Sequence, residues 1–184
     1  MGESLEGVRT CELLARYAAI LAELRRRDVV RTNNAPAGGY AEWLVARALG
    51  GQLVTSTSEK SYDLIAGEYG KMQLKARVVS EPIKAGQRQT SPFRSWDFDH
   101  AALVQLRDVD YAVVRAVLLP MSVVREVAVF QRHINGSIVF MTPALLGHPQ
   151  ATDVTDRLQQ AALEVKALAA AGGNLVGHGR VLGQ

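Results

Sequence analysis

Between positions 71 and 78 the side chains alternate. Lys71, Gln73, Lys75 and Arg77 are polar, while Met72, Leu74, Ala76 and Val78 are apolar or small. Successive side chains point to opposite faces only in a strand, so this run predicts a sheet with one dry face and one polar face. Just upstream, Tyr62-Asp63-Leu64-Ile65-Ala66 and a turn through Gly67 and Gly70 predict the partner strand of a hairpin. Asp63 is the anomaly. A plain strand would carry another apolar residue there, and a carboxylate buried without partners costs several kcal/mol.

The register decides which face Asp63 shares. A four-residue turn over 67–70 would pair Ala66 with Lys71 and send Asp63 toward Leu74, on the apolar side. A three-residue loop of Glu68, Tyr69 and Gly70 puts Asp63 opposite Lys75, with Gly70 in the left-handed position. Chemistry and turn geometry both select the second register, or a bulge near Asp63 to the same effect. Ile65 then lies on the Gln73 side, beneath a helix that carries Glu42.

The remaining pattern is helix, helix, several strands, helix. A first helix spans 8–27, with Leu14, Tyr17, Leu21 and Leu24 at helical spacing and Arg25, Arg26 and Arg27 in its last turn. A turn-rich connector containing Asn33, Asn34 and Pro36 leads to a second helix over 39–49, stopped by Gly50 and Gly51. Strands follow at 52–55, 62–66, 71–78, 100–106 and 111–119. The stretch 80–95 is basic and broken by Pro82, Gly86 and Pro92, and predicts a long loop or a broken helix. Pro120 suits the first turn of a helix over 120–129. The rival there is a strand leading to Asn135-Gly136, a strong hairpin signal. A strand over 137–141 and a closing helix over 152–171 complete the pattern. It predicts an α/β domain, with α+β as the alternative, built on a central mixed sheet flanked by helices. The expected divisions are a helical segment over 1–36, an α/β core over 37–171 and a flexible tail over 172–184.

With 184 residues and nearly half of them apolar, the chain suffices for one domain with a substantial core. Cys11 is the only cysteine, which excludes an intrachain disulfide and a cysteine-based zinc site. The four histidines form no His-x-x-x-His pair, and Arg115 breaks the best apolar run. A soluble, cytoplasmic protein is expected. The net charge is only +3, yet Lys71, Lys75, Arg77, Lys84, Arg88 and Arg94 face a single acid, Glu81, between 71 and 94. A basic patch of this kind suits an anionic partner, nucleic acid first.

Taken together, 40–78 offers an acid on a helix (Glu42), an acid on a strand (Asp63) and Gln73-x-Lys75 on the next strand. A divalent cation such as Mg²⁺ takes hard oxygen ligands, and one or two carboxylates with a carbonyl and waters suffice. On the segments YAEWLVARALG, YDLIAG and KMQLKAR, the sequence resembles the PD-(D/E)-x-K, or restriction-endonuclease-like, phosphodiesterase superfamily. It is most similar to Mrr-type enzymes with Gln-x-Lys, and to an uncharacterised bacterial group with this core. Tyr62 stands where that motif has proline, and Gln73 replaces a carboxylate.

The resemblance implies a restriction-endonuclease-like fold and a Mg²⁺-dependent endonuclease, with Mn²⁺ as a possible substitute. The substrate would be nucleic acid, DNA favoured over RNA, in a bacterial restriction, defence or repair setting. The implied catalytic set is Asp63, Gln73, Lys75 and Glu42. The implied metal ligands are Asp63, Glu42 and the backbone carbonyl of Leu74. Lys71, Arg77, Lys84, Arg88, Arg94 and Asn34 are expected to contact nucleic acid, and the first helix to join a homodimer. The alternative is a catalytically silent module that keeps the fold and binds nucleic acid or a protein partner.

Overall fold

The computed structural model describes residues 5–8, 10–31, 35–54 and 61–171, and the expectations placed on Asn34 and on 172–184 lie outside them. The alternating run forms the long strand β3 (Gly70–Val79). Around it stand α1 (Thr10–Arg26), α2 (Ala37–Leu49), β1 (Gln52–Leu53), β2 (Leu64–Ala66), β4 (His100–Arg107) and β5 (Val113–Pro120). They are followed by α3 (Met121–Glu126), β6 (Val129–Gln131), β7 (Gly136–Ile138), α4 (Pro143–Leu146), β8 (Thr152–Asp153) and α5 (Thr155–Ala171). Six strands form one mixed sheet in the order β1-β2-β3-β4-β5-β8, and β6 pairs with β7 in a separate hairpin. Among the described residues, only the β3–β4 pair is parallel. This is the α/β class that the sequence pattern predicts.

The period of two along β3 separates two apolar cores. Met72 and Leu74 face one way, into a core with Ala41, Leu44 and Val45 of α2 and Leu158 of α5. Each of the buried Met, Leu and Val side chains contributes about 1.5–3 kcal/mol. On the opposite face, Ala101 and Leu103 of β4 and Val117 and Leu119 of β5 pack under Phe93, Phe98, α3, α4 and the segment after β7 at Val139 and Met141. Gln73 pairs with Ala101 and Lys75 with Leu103, so both polar side chains lie on this second face.

α2 ends as expected. Gly50 adopts φ 64° and ψ 30° and donates its N–H to the carbonyls of Ala46 and Arg47, a left-handed cap that glycine takes without strain. The segment after β5 joins both rival expectations, since a short helix precedes a hairpin that turns at Asn135, φ 45°. α5 starts at Thr155, later than expected, because Thr152 and Asp153 pair with β5. Asp153 Oδ1 then accepts the Thr155 N–H at 2.9 Å.

Two expectations are corrected. In the β2–β3 hairpin, Leu64 pairs with Met72, Ile65 with Lys71 and Ala66 with Gly70. The loop is therefore Gly67, Glu68 and Tyr69 in a 3₁₀ turn, and Asp63 continues opposite Gln73, not Lys75. The cause lies at Gly70, which has φ 63° and ψ −139°, outside the left-handed helical region. A Cβ there would run into the Asp99 carboxylate, whose Oδ2 accepts the Lys71 N–H at 2.8 Å. Asp99 thus fixes where β3 begins. The offset from the expected register is even, so Asp63 still shares a face with Gln73 and Lys75.

The second correction concerns the face that α2 covers. Ile65 lies on that face but is exposed, because α2 packs against the opposite side of the sheet. The stripe of α1 is also only partly covered. Leu21 is buried, while Leu14, Tyr17 and Ile20 are exposed.

Candidate active site

The site lies where β2 parts from β3. The last paired residue of β2 on that side is Leu64, and Asp63 just beyond it donates its N–H to Met72 O at 2.8 Å. Its carbonyl accepts the Val54 N–H at 3.0 Å. Held on both sides by backbone bonds, Asp63 turns its carboxylate onto β3. Oδ2 accepts two hydrogen bonds, one from Gln73 Nε2 at 2.5 Å and one from the Leu74 N–H at 2.7 Å. These satisfy the carboxylate that the sequence left without a partner. In an extended strand the N–H and C=O of one residue point to the same edge. The Leu74 carbonyl therefore faces the same edge, past the end of β2.

Lys75 is only 9 % exposed. Its Nζ lies 4.8 Å from the centroid of the Phe93 ring, a cation–π contact that partly compensates for lost water. Burial pushes the proton affinity of Lys75 down, the nearby Asp63 charge opposes that shift, Arg94 adds to it and Glu42 opposes it more weakly. A lysine of this kind, beside a carboxylate on one sheet face, has the electrostatics of a proton-handling group.

Glu42 stands apart from this face, on α2. Its Oε2 is ion-paired with Arg31 Nη2, and Arg31 Nη1 donates to Val54 O at 2.9 Å. Glu42 is thus linked to Asp63 through Arg31 and Val54, at the end of the β1–β2 edge. Among the described residues, no group of three or more His, Cys, Asp or Glu side chains gathers as a metal cluster. With Gln73 in the third position, the hard donors are two carboxylates, Asp63 and Glu42, and the Leu74 carbonyl. One carboxylate, one carbonyl and waters are the kind of hard-oxygen set that Mg²⁺ takes, while Glu42 is held by Arg31.

The expected nucleic-acid contacts divide. Lys71 sits 5.2 Å over the Tyr62 ring and pairs with Asp97 at 3.1 Å, so its charge is partly offset. Arg77 turns its Nε toward Gln87 O at 3.5 Å, against the turn 85–88. Lys84 and Arg94 are exposed and Arg88 is half-buried. Asp97 and Asp99 both serve the start of β3, through the Lys71 ammonium and the Lys71 N–H. Two contributors escaped the sequence reading. Phe93 follows a proline in a segment without periodicity, and Arg31 stands close behind the run of arginines that ends a helix. Neither position carries a signal that it meets Lys75 or Glu42.

No protein-family model matches the chain, and no curated protein matches it significantly. Among the described residues, no helix is long and apolar enough to cross a membrane.

Proposed function

We propose that the chain is a metal-dependent phosphodiesterase that hydrolyses nucleic acid, DNA in preference to RNA. The observation that carries this reading is the meeting of Asp63, Gln73 and a buried Lys75 on one sheet face. Asp63 and the Leu74 carbonyl would hold Mg²⁺, with Glu42 direct or through water. Bound there, the ion would supply charge for a phosphoryl oxygen and acidify water. Gln73 holds the Asp63 carboxylate in place. Lys75 orients the attacking water, and its lowered proton affinity favours its part in taking that water's proton. The oxygen of water bonds to phosphorus, one P–O ester bond breaks, and the departing oxygen takes up a proton. Two copies joined through α1 would place two sites for two strands.

The test is cleavage of plasmid DNA and of RNA with Mg²⁺, Mn²⁺ or chelator, beside Asp63→Ala. Metal-dependent cutting that Asp63→Ala loses supports the reading, and equal cutting by both proteins refutes it.

One observation favours a second reading, a nuclease-like module without activity. Asp63 Oδ2 is already satisfied by Gln73 and Leu74, and Glu42 by Arg31. In that case calorimetry with Mn²⁺ detects no binding that Asp63→Ala removes.

A further inference from the structure

The β6–β7 hairpin is not isolated from the site. Phe93 and Ser137 exchange both backbone hydrogen bonds, each at 2.8 Å, and Thr90 N–H donates to Val139 O at 2.9 Å. The strip 89–93 thus lies as a third strand beside β7, with β6 at the outer edge. Residues directly opposite each other across antiparallel strands share a face. Phe93 is opposite Ser137, and Ser137 is opposite Phe130. Phe130 therefore stands on the face that carries Phe93 toward Lys75, two strands out, roughly 10 Å from Phe93 along the row. Phe93 and Ser137 are buried, whereas Phe130 is 62 % exposed.

The charge around this row is one-sided. The segments 82–96 and 127–152 contain no Asp or Glu, although the chain has 18. They carry Lys84, Arg88, Arg94 and Arg132. Arg94 ties the two segments together. Its Cγ lies 3.5 Å from where a Cβ at Gly136 would stand, and its charge is felt by Lys75. Gly136 permits this approach, since a Cβ there would come within 2.7 Å of Pro92 Cβ.

We infer that the β6–β7 hairpin and the strip 82–96 form a single-strand nucleic-acid wing, on which Phe130 stacks a base and Arg94 and Arg132 hold the flanking phosphates. An exposed ring on a hairpin paired to a strip, the two segments carrying four cations and no carboxylate of their own, is the chemistry of a single-strand platform. The distance from Phe93 to Phe130 spans about three stacked nucleotides at about 3.4 Å each. This inference rests on the phosphodiesterase reading and names the form of its substrate, a strand unpaired beside the cut.

The test is fluorescence anisotropy of a labelled single-stranded DNA with the full chain in chelator, so that cleavage cannot intervene. Phe130→Ala should weaken binding about tenfold, with thermal midpoint unchanged, and Phe130→Tyr should bind like the wild type. Arg132→Ala should lower the salt slope by about one. Wild-type affinity in Phe130→Ala, or equal losses in Phe130→Ala and Phe130→Tyr, overturns the wing. So does an effect of Phe130→Ala on self-association alone, which would assign the ring to a contact between copies. Asp63→Ala, measured alongside, separates the two claims. If Phe130→Ala loses affinity while wild type and Asp63→Ala cut equally, only the phosphodiesterase reading fails.

Discussion

Lys75 holds its ammonium where few lysines are found, almost out of water and over an aromatic ring. Because burial lowers its proton affinity, the unfolded chain binds more protons at this position than the folded one. Stability must therefore rise with pH between the folded pKa of Lys75 and the ordinary lysine value of about 10.4. The penalty is complete below the folded value and vanishes above the unfolded one. Denaturant titrations of wild type and Lys75→Met should show the wild type gaining on the variant as pH rises through that window. A difference that stays constant with pH would mean that Lys75 titrates as an ordinary lysine. Asp63, Gln73 and Lys75 were legible because a strand's period is two and the hairpin brings its arms together. Phe93 and Arg31 were not, because a ring and a guanidinium reach the site from irregular segments that carry no period.

The β2–β3 hairpin shows how far local rules reach. Loop length and the parity of the pairing were recoverable from the two glycines, and parity alone decides whether Asp63 meets Gln73 and Lys75. The actual register was not recoverable, since it depends on Asp99, a side chain from the far end of a long loop that holds the Lys71 N–H. Gly70→Ala tests this. It would force a side chain into a positive φ and against the Asp99 carboxylate. The expected cost is about 1–3 kcal/mol in chemical denaturation. A loss below a few tenths of a kcal/mol would show that the strand start tolerates another conformation. The segment 120–141 teaches the complementary lesson. Its helix and hairpin signals competed in the sequence, and both were right, because each element is short enough to leave room for the other.

At the level of the assembled protein, charge and exposed apolar surface make separate predictions. Lys84 is exposed and Arg88 half-buried beside the site face, and their joint replacement by alanine should weaken DNA binding and flatten its dependence on salt. An unchanged salt slope in anisotropy titrations would move the nucleic-acid path elsewhere. Leu14, Tyr17 and Ile20 are exposed along α1. Tyr17 and Ile20 also border a groove of about 320 Å³ whose far wall includes Val30, Tyr40 and Tyr111. A homodimer through this helix is expected, and Tyr17→Glu with Ile20→Glu should convert it to monomer in sedimentation velocity. Only monomer in the wild type at micromolar concentration would remove that expectation and leave a single site acting on one strand. The alternation of strands and helices made the sheet and its flanking layers legible from sequence. The uncovered side of α1 was not, because helical periodicity marks an apolar stripe without saying what lies against it.

The most direct measurement is the Mg²⁺-dependent cleavage rate of supercoiled plasmid by wild type and by Lys75→Met, with folding of both verified by thermal melting. The site described above predicts that the folded variant cuts at least about a hundredfold more slowly, the range for removing a positioned proton-transfer group, and that chelator stops the wild type. Equal rates in the two proteins, or wild-type cutting that persists undiminished in chelator, would contradict the assignment of Asp63, Gln73 and Lys75 as a catalytic site.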